Sequence, residues 1–402
     1  MRLRSPSHSI SSFPSEIENT ETRDMAEVCI VAGEPSGDHH GALVAREMKK
    51  LLPDLSLFGC GGPSMREEGV ECVVPMESFS SVGIIEVVEK LPGVLRNMTA
   101  LKRAMKARRP SAFLPIDVPD VNLRLSTFAR KHGIPVVYFI SPQVWAWRKG
   151  RIRRIARDVR KMLVILPFEE SFYRETGIDA EFVGHPLIDQ LAGLPEDEVV
   201  EKDSSTTGDV IGLLPGSRRS ELDKMIPLFL DVVEALLEKY PGLRFRLFLA
   251  GGFSVEDLPS FPDAVSVEPS VAWWRRGGIR LALAASGTAT LELGLLRVPT
   301  VVVYKVHWLT YLIAKRMVQA PYASLVNLIA GKRVFPEFLQ RDATKEKVVQ
   351  EISRLLESEK AVQGIREELA AMRGLMGEPG CPERVARRVL ETAGLLGEEE
   401  IR

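Results

Sequence analysis

The stretch VCIVAGEPSGDHHGA, residues 28–42, decides the fold class, because an apolar run ends there in a glycine-containing turn and a helix pattern follows. Residues 28–32 have the composition of a short buried strand, and apolar residues recur at helical spacing after the turn. The same order returns in DVIGLLPGSRRSE, residues 209–221. Strands that alternate with helices are typical of a parallel sheet covered on both faces. We therefore predict an α/β fold.

Two sets of these strand–helix units lie on either side of a polar, acidic stretch. We predict two Rossmann-like domains that face each other across a cleft, at residues 25–195 and 209–345, joined by a linker at 196–208. Residues 346–402 are predicted to form C-terminal helices, and their return to the first domain is left open. Residues 1–24 are predicted to be a disordered extension. Further strands are predicted at 111–116, 135–140, 161–167, 243–252, 279–287 and 299–304.

The composition excludes several classes of protein. Lys and Arg number 53 and Asp and Glu number 54, which argues against a general nucleic-acid binder. Four cysteines without a C-x-x-C pair argue against a disulfide framework or a zinc site and fit a reducing compartment. No run approaches the roughly 18 apolar residues needed to span a bilayer. We expect a protein that is soluble or lies on a membrane surface.

Two loops of the first domain carry carboxylates just after predicted strands. Glu34 and Ser36 follow the first strand, and Asp117 and Asp120 follow the strand at 111–116. Ligands of such sheets sit at the carboxyl ends of the strands, where a partly desolvated carboxylate can act as a general base. Ser36 or Asp38 could instead cap the helix after the first loop, and one of Asp117 and Asp120 the helix after the second, so both interpretations stay open.

Two loops of the second domain have the character of anion sites. Each follows a strand and opens a helix, and backbone N–H groups at a helix start favour phosphate. Arg218 could bind a phosphate bidentately, through two hydrogen bonds, and Glu292 is placed to accept hydrogen bonds from ribose hydroxyls. Together the loops fit a nucleotide diphosphate. The candidate residues are Gly216, Ser217, Arg218, Ser286, Gly287, Thr288 and Glu292.

Two segments combine apolar and basic residues. The stretch at 138–161 joins two tryptophans to a basic run, and the stretch at 81–109 is apolar on more than one face and ends in basic residues. The first is either a solvated helix face or an anion-binding, membrane-facing surface. The second is either a pair of core helices or a surface that touches anionic lipid. We interpret His185 and His307 as structural residues.

The chain resembles the lipid-A-disaccharide synthases, which are GT-B-type glycosyltransferases. The resemblance runs from about Val28 to about Gln340, and the order and number of the shared strings make it specific. These strings are AGEPSGD, GGPSM, VGIIEV, IDVPDVN, SPQVWAWR, LPFE, FVGHPL, LLPGSR, ASGTATLE, SLVNLIAG and PEFLQ.

The resemblance implies a reaction. UDP-2,3-diacylglucosamine would donate its sugar, with inversion, to the 6-hydroxyl of 2,3-diacylglucosamine 1-phosphate, giving UDP and the β-1,6-linked disaccharide of lipid A biosynthesis. It makes Asp117 the base, Arg218 a diphosphate or donor ligand, and Glu292 the ribose ligand. Glu34, Ser36, Asp120 and Asn327 would line the cleft.

The resemblance also implies the setting of the reaction. No metal or other cofactor is required, because Arg218 and helix N-termini can stabilise the leaving group. The acylated substrates place the protein on the anionic inner face of the bacterial inner membrane, in the cytoplasm, with a homodimer left open.

Two rival interpretations remain at this point. Another UDP-sugar GT-B enzyme, such as a lipid-linked N-acetylglucosaminyl transferase or a UDP-sugar 2-epimerase, would keep the donor site and change the acceptor. A non-catalytic membrane-surface protein would have no use for Asp117, Arg218 and Glu292 together.

Overall fold

A computed structural model describes residues 26–79, 84–145, 149–192, 209–269, 278–306 and 320–397. Several sequence predictions concern residues outside these ranges. They are the extension at 1–24, the linker at 196–208, Trp147 and His307.

The first domain is built on a seven-stranded parallel sheet with the strand order β3-β2-β1-β4-β5-β6-β7. Alternate residues of the interior strand at 27–32 serve two cores: Val28 and Ile30 pack on one face, and Cys29 and Val31 pack on the other. Because both faces are covered, the strands are continuously apolar. The strands are β1 (Glu27–Ala32), β2 (Ser56–Gly61), β3 (Glu71–Pro75), β4 (Ala112–Ile116), β5 (Val137–Phe139), β6 (Lys161–Val164) and β7 (Ala180–Phe182).

The second domain is built on a six-stranded parallel sheet with the order β10-β9-β8-β11-β12-β13. Its two faces are also covered by separate apolar clusters. The strands are β8 (Val210–Leu214), β9 (Arg244–Leu249), β10 (Val265–Pro269), β11 (Ile279–Ala285), β12 (Thr300–Tyr304) and β13 (Glu337–Leu339). Both sheets are therefore doubly wound, with helices on either side.

The helices connect successive strands, and several begin with proline at the first helical position, where no intrahelical N–H is needed. In the first domain they are α1 (Pro35–Leu51), α2 (Pro63–Glu67), α3 (Ile84–Arg108), α4 (Pro119–Lys131), α5 (Ile152–Asp158), α6 (Pro167–Glu175) and α7 (Pro186–Leu191). They continue with α8 (Arg219–Lys239), α9 (Thr288–Leu295), α10 (Leu325–Ala330), α11 (Lys345–Glu357), α12 (Glu359–Gly374) and α13 (Cys381–Thr392).

The final helix, α13, packs on the first domain rather than on the second. Cys381, Val385, Ala386 and Val389 are fully buried in the same cluster as Val28 and Ile30 of β1. Asp189 of α7 holds the start of this helix, because its carboxylate accepts hydrogen bonds from the N–H groups of Gly380 at 2.5 Å and Cys381 at 3.3 Å.

The segment at 84–108 differs from the expected pair of helices. It is one helix with Pro92 inside it. Met98, Leu101 and Met105 of its second half are buried in the core of the first domain. The core interpretation is therefore confirmed for that half.

Candidate functional site

Each sheet has a point where the order of its strands reverses, and the candidate loops lie there. In the first sheet β1 pairs with β4, and Ala32 lies opposite Ile116. Glu34 and Asp117 follow these two strands directly. In the second sheet β8 pairs with β11, which brings the turn at 215–218 beside the turn at 286–287. Crevices at such switch points are the usual ligand sites of doubly wound sheets.

Asp117 has an unusual backbone conformation. Its φ is 47°, and that of Val118 is 42°, so two consecutive side-chain-bearing residues lie in the left-handed region. Each such residue costs about 1 kcal/mol or more and persists only where neighbours hold it. Here the Asp117 carbonyl oxygen accepts hydrogen bonds from Asn122 Nδ2 at 2.7 Å and from the Tyr138 hydroxyl at 2.6 Å.

The protein surroundings of Asp117 stabilise its protonated form relative to the same carboxyl group in water. Burial and the negative charge of Glu34 raise its pKa from 3.8 to about 6, while the Val118 N–H opposes the shift. A carboxyl group with this pKa is mostly ionised at neutral pH and is basic enough to accept a proton. The geometry thus supports the interpretation of Asp117 as a general base.

The other acidic and polar candidates of this domain lie around Asp117 in different settings. Glu34 is half-buried at the N-cap position of α1, and Ser36 is exposed in the first turn of that helix. Asp120 is exposed and forms an ion pair with Arg151. That pair joins the start of α4 to the residue before α5.

Asp38 belongs to the framework of the first domain. It is buried, and its carboxylate accepts hydrogen bonds from the N–H groups of Gly62 at 2.6 Å, Ser64 at 3.0 Å and Met65 at 3.2 Å. The sequence suggested an N-cap of α1 for this residue, whereas it caps α2, the helix of the GGPSM string. Three backbone donors satisfy the charge that burial would otherwise destabilise.

The turn after β8 is closed by Glu221, a residue that the sequence did not single out. Its carboxylate accepts hydrogen bonds from the N–H groups of Ser217 at 3.0 Å and Arg218 at 3.3 Å. Gly216 has a φ of 110°, and a Cβ there would lie 2.5 Å from the Glu221 carboxylate. The backbone N–H groups expected to face a phosphate are thus engaged with Glu221, and glycine is required for this internal contact.

The Arg218 side chain remains available to a ligand. Its guanidinium is 78% exposed and lies 3.5 Å from Glu221. The Tyr304 hydroxyl, at the end of β12, lies 3.4 Å from the same carboxylate. Burial and Glu221 raise the Tyr304 pKa, so this hydroxyl stays protonated and can donate. Arg218 therefore supplies the positive charge of this turn.

The turn after β11 is open on its outer side. Gly287 and Thr288 are exposed, and a Cβ at Gly287 would contact nothing within 4 Å. Ser286 is anchored through its hydroxyl, which donates to the Ala323 carbonyl at 2.8 Å. Glu292 is half-buried one turn further along α9. The first turn of this helix thus has room for a ligand group.

Asn327 has a different role from the one expected, since it does not line the cleft. It is fully buried, and Nδ2 donates to the Phe335 carbonyl at 2.9 Å and to Glu337 at 2.8 Å. Oδ1 accepts from the N–H groups of Val334 and Phe335, both at 2.8 Å. These four bonds use the whole hydrogen-bonding capacity of the amide. Asn327 is a framework residue that ties α10 to the approach of β13.

Glu169 is a second carboxyl group that the sequence did not single out. It is buried under the loop after β5, which carries Trp145. Glu169 of the LPFE string accepts hydrogen bonds from the Ser141 hydroxyl at 2.7 Å and from Trp145 Nε1 at 2.9 Å. Burial raises its pKa to about 7, although these donors oppose the shift. Glu169 therefore fixes the loop that follows β5.

The predicted structural role of His185 is confirmed. Its Nδ1 accepts a hydrogen bond from the Leu187 N–H at 3.1 Å, which caps α7. Burial and the nearby His40 lower the His185 pKa to about 3, so the ring is neutral.

A basic surface covers one side of the first domain. Residues 92–161 contain seventeen Lys and Arg and only three Asp and Glu. Of these acids, Asp158 is buried between Arg130 and Arg157 and leaves the surface positive. Helix α4 packs between α3 and α5. We call this surface the basic face; its exposed members on the three helices include Arg103, Lys106, Arg124, Lys131, Arg153 and Arg154.

In the part of the chain that the structure describes, no helix is both long enough and apolar enough to cross a bilayer. Across the same residues, no three His, Cys, Asp or Glu side chains are grouped as metal ligands would be.

Comparison with solved structures shows the architecture. The chain is similar to the glycotransferase of kitacinnamycin, with a TM-score of 0.59 over 92% of this chain and 98% of that one. The two sequences are 14% identical, so the likeness concerns the fold alone. Two doubly wound domains of this kind form the GT-B fold.

Comparison of sequences shows the family. The model of the family described as lipid-A-disaccharide synthetase matches residues 28–375. The lipid-A-disaccharide synthase of Anaeromyxobacter dehalogenans (strain 2CP-C) is 42% identical over 90% of this chain and 97% of its own length. That of Geobacter sulfurreducens is 41% identical over 94% and 99%. The chain therefore belongs to the lipid-A-disaccharide synthase family of glycosyltransferases.

Proposed function

We propose that this chain transfers the sugar of UDP-2,3-diacylglucosamine to the 6-hydroxyl of 2,3-diacylglucosamine 1-phosphate, with inversion at the anomeric carbon. The family membership supports the two substrates. The observation that carries the mechanism is the Asp117 carboxyl, held at the switch point of the first sheet with a pKa of about 6. An inverting transfer needs one such base on the acceptor hydroxyl.

The transfer follows from the properties of two side chains. Asp117 accepts the proton of the 6-hydroxyl as the oxygen attacks the anomeric carbon of the donor. The bond from that carbon to the diphosphate oxygen breaks, and UDP departs with the electron pair. The Arg218 guanidinium, largely exposed beside the turn after β8, balances the negative charge on the diphosphate. Asp117 then returns its proton to water.

The second domain supplies the donor site in this proposal. Arg218 and the open turn at Gly287 and Thr288 receive the diphosphate, and Glu292 receives the ribose. Gly216, Ser217 and Ser286 shape the two turns through backbone and side-chain contacts. The first domain supplies the acceptor side, with Glu34, Ser36 and Asp120 around the base.

We also propose that the basic face lies against anionic lipid at the inner surface of the bacterial inner membrane. Both substrates carry acyl chains, so the enzyme must reach a bilayer. Each Lys or Arg near an anionic surface contributes about 1 kcal/mol of attraction. Replacing Arg153 and Arg154 with Glu should weaken binding to anionic vesicles, whereas the same change at exposed Lys345 and Lys360 of the second domain should not.

The reaction is tested by supplying the purified chain with both substrates and measuring UDP. We expect UDP release only when the acylated acceptor is present, together with a disaccharide 1-phosphate product. A UDP-sugar 2-epimerase would act on the donor alone, and a lipid-linked N-acetylglucosaminyl transferase would ignore this acceptor. Either pattern, or no turnover at all, would contradict the proposal.

A further inference from the structure

We infer that Asn122 and Tyr138 are positioning residues, which hold the Asp117 backbone in its left-handed conformation and so aim its carboxylate at the acceptor. We call these two residues the clasp. The inference rests on the proposed role of Asp117 as the base. Asn122 and Tyr138 are fully buried beneath the turn, so neither residue touches a substrate.

Asn122 lies on the first turns of α4 and reaches back under the turn that precedes the helix. Its Nδ2 donates to two successive carbonyl oxygens, those of Ile116 at 3.1 Å and Asp117 at 2.7 Å. Its Oδ1 is buried without a hydrogen-bond partner. Both hydrogen bonds that this side chain donates therefore go to the backbone of the turn that carries Asp117.

Tyr138 approaches the same carbonyl oxygen from the neighbouring strand. It lies in β5, and its hydroxyl donates to the Asp117 oxygen at 2.6 Å. The N–H group of Asp117 also bonds to β5, because it donates to the Phe139 carbonyl at 3.1 Å. Asp117 is thus fastened through its N–H and twice through its carbonyl oxygen.

The fastening matters because the backbone at Asp117 and Val118 would not stay left-handed unaided. Rotation of either residue to negative φ would turn the Asp117 side chain away from its place beside Glu34. A base that is displaced by about 1 Å loses much of its effect on the rate. The binding of UDP in the second domain would not change.

Tyr138→Phe tests the clasp, with Tyr173→Phe as the matched control. Tyr173 is also a fully buried tyrosine of this core, and its hydroxyl donates at 2.7 Å to a different carbonyl, that of Pro142. Both variants lose one buried hydroxyl and should lose similar thermal stability. We expect kcat to fall at least tenfold in Tyr138→Phe alone, with the KM for the donor and the affinity for UDP unchanged.

Asn122→Leu provides a second, independent variant of nearly the same size. We expect the same loss of kcat with UDP affinity retained, which also reports that the second domain is folded. Wild-type kcat in either clasp variant, or an equal loss in Tyr173→Phe, would overturn the inference. Asp117→Asn separates this failure from that of the proposed function. Full turnover in Asp117→Asn would refute the proposed role of Asp117 as the base. An inactive Asp117→Asn together with a fully active Tyr138→Phe would refute only the role of the clasp.

Discussion

Glu34 and Asp117 follow two strands that are hydrogen-bonded neighbours in the first sheet, and the charge of Glu34 raises the pKa of the Asp117 carboxyl. Burial is the larger cause of that shift. A like charge next to a catalytic carboxylate makes it a better proton acceptor near neutral pH. The pair thus tunes the base through burial and a neighbouring like charge.

The pH dependence of turnover should report this tuning. Asp117 acts as a carboxylate, so kcat/KM should fall about tenfold per pH unit below pH 6. Glu34→Gln removes the neighbouring charge, which lowers the Asp117 pKa and moves this acid limb to lower pH. Rate profiles from pH 4.5 to 8 measure both effects. An acid limb that stays in place in Glu34→Gln would contradict the coupling.

Asp117→Asn should abolish turnover and stabilise the fold. Loss of a general base typically lowers the rate 10²- to 10⁴-fold, while UDP affinity should persist. Folding raises the pKa of this carboxyl, so its charge destabilises the native state above pH 6 and has no effect below about pH 3.8. One pKa unit corresponds to about 1.4 kcal/mol, so we expect the variant to gain up to about 3 kcal/mol at pH 8 and nothing at pH 3.5. Urea unfolding at the two pH values measures the difference, and a loss of stability at pH 8 would refute the argument.

Arg218→Ala should weaken UDP binding. A charge-assisted hydrogen bond is worth about 1.5–3 kcal/mol, which corresponds to a loss of roughly 10- to 100-fold in affinity. Arg219→Ala is the matched control, because its guanidinium is bound to Asp223 one turn along the helix. Titration calorimetry with UDP distinguishes the two. Equal affinities in Arg218→Ala and wild type would place the diphosphate elsewhere.

Gly216→Ala should destabilise the second domain. The left-handed φ and the close approach of Glu221 both exclude a Cβ at this position, so we expect a loss of more than about 1 kcal/mol. Gly242→Ala is the control, since a Cβ there meets nothing within 4 Å. Thermal melts compare the variants. If Gly216→Ala and Gly242→Ala melt at the same temperature, then the contact with Glu221 is not the reason that position 216 requires glycine.

Removal of divalent metal should leave turnover intact. The negative charge of the leaving diphosphate is balanced in this mechanism by Arg218 and by the start of α9. We expect the same kcat in EDTA as in buffer with Mg²⁺. A strict Mg²⁺ requirement would mean that the leaving-group chemistry has been assigned to the wrong groups.

The sequence predicted the elements that are long and strongly patterned. Two parallel sheets, the strands that precede Glu34 and Asp117, and the turns at Gly216 and Gly287 all follow from apolar runs that end in short turns. The strands β2, β3, β7, β10 and β13 were not predicted, and β7 and β13, with three residues each, show little pattern. The single helix at 84–108 was missed because proline at position 92 is an ordinary sign of a helix end.

The side-chain partnerships could not be predicted in the same way. Glu221 closes its own turn because the Gly216 backbone leaves room for the carboxylate, which no spacing rule shows. Asn327 stands in a string shared with the family, yet its contacts are all internal. A shared string reports that a residue is constrained; only the geometry distinguishes a framework contact from a ligand contact.

The placement of α13 has a consequence for how the protein is made. The buried residues of α13 complete an apolar layer whose members outside the C-terminal segment are more than 190 residues earlier in the chain. During synthesis the first half therefore leaves the ribosome with part of its layer uncovered, until the last helix arrives. A nascent chain in that state is prone to aggregate or to recruit chaperones. A fragment that stops before residue 381 should inherit the same weakness permanently.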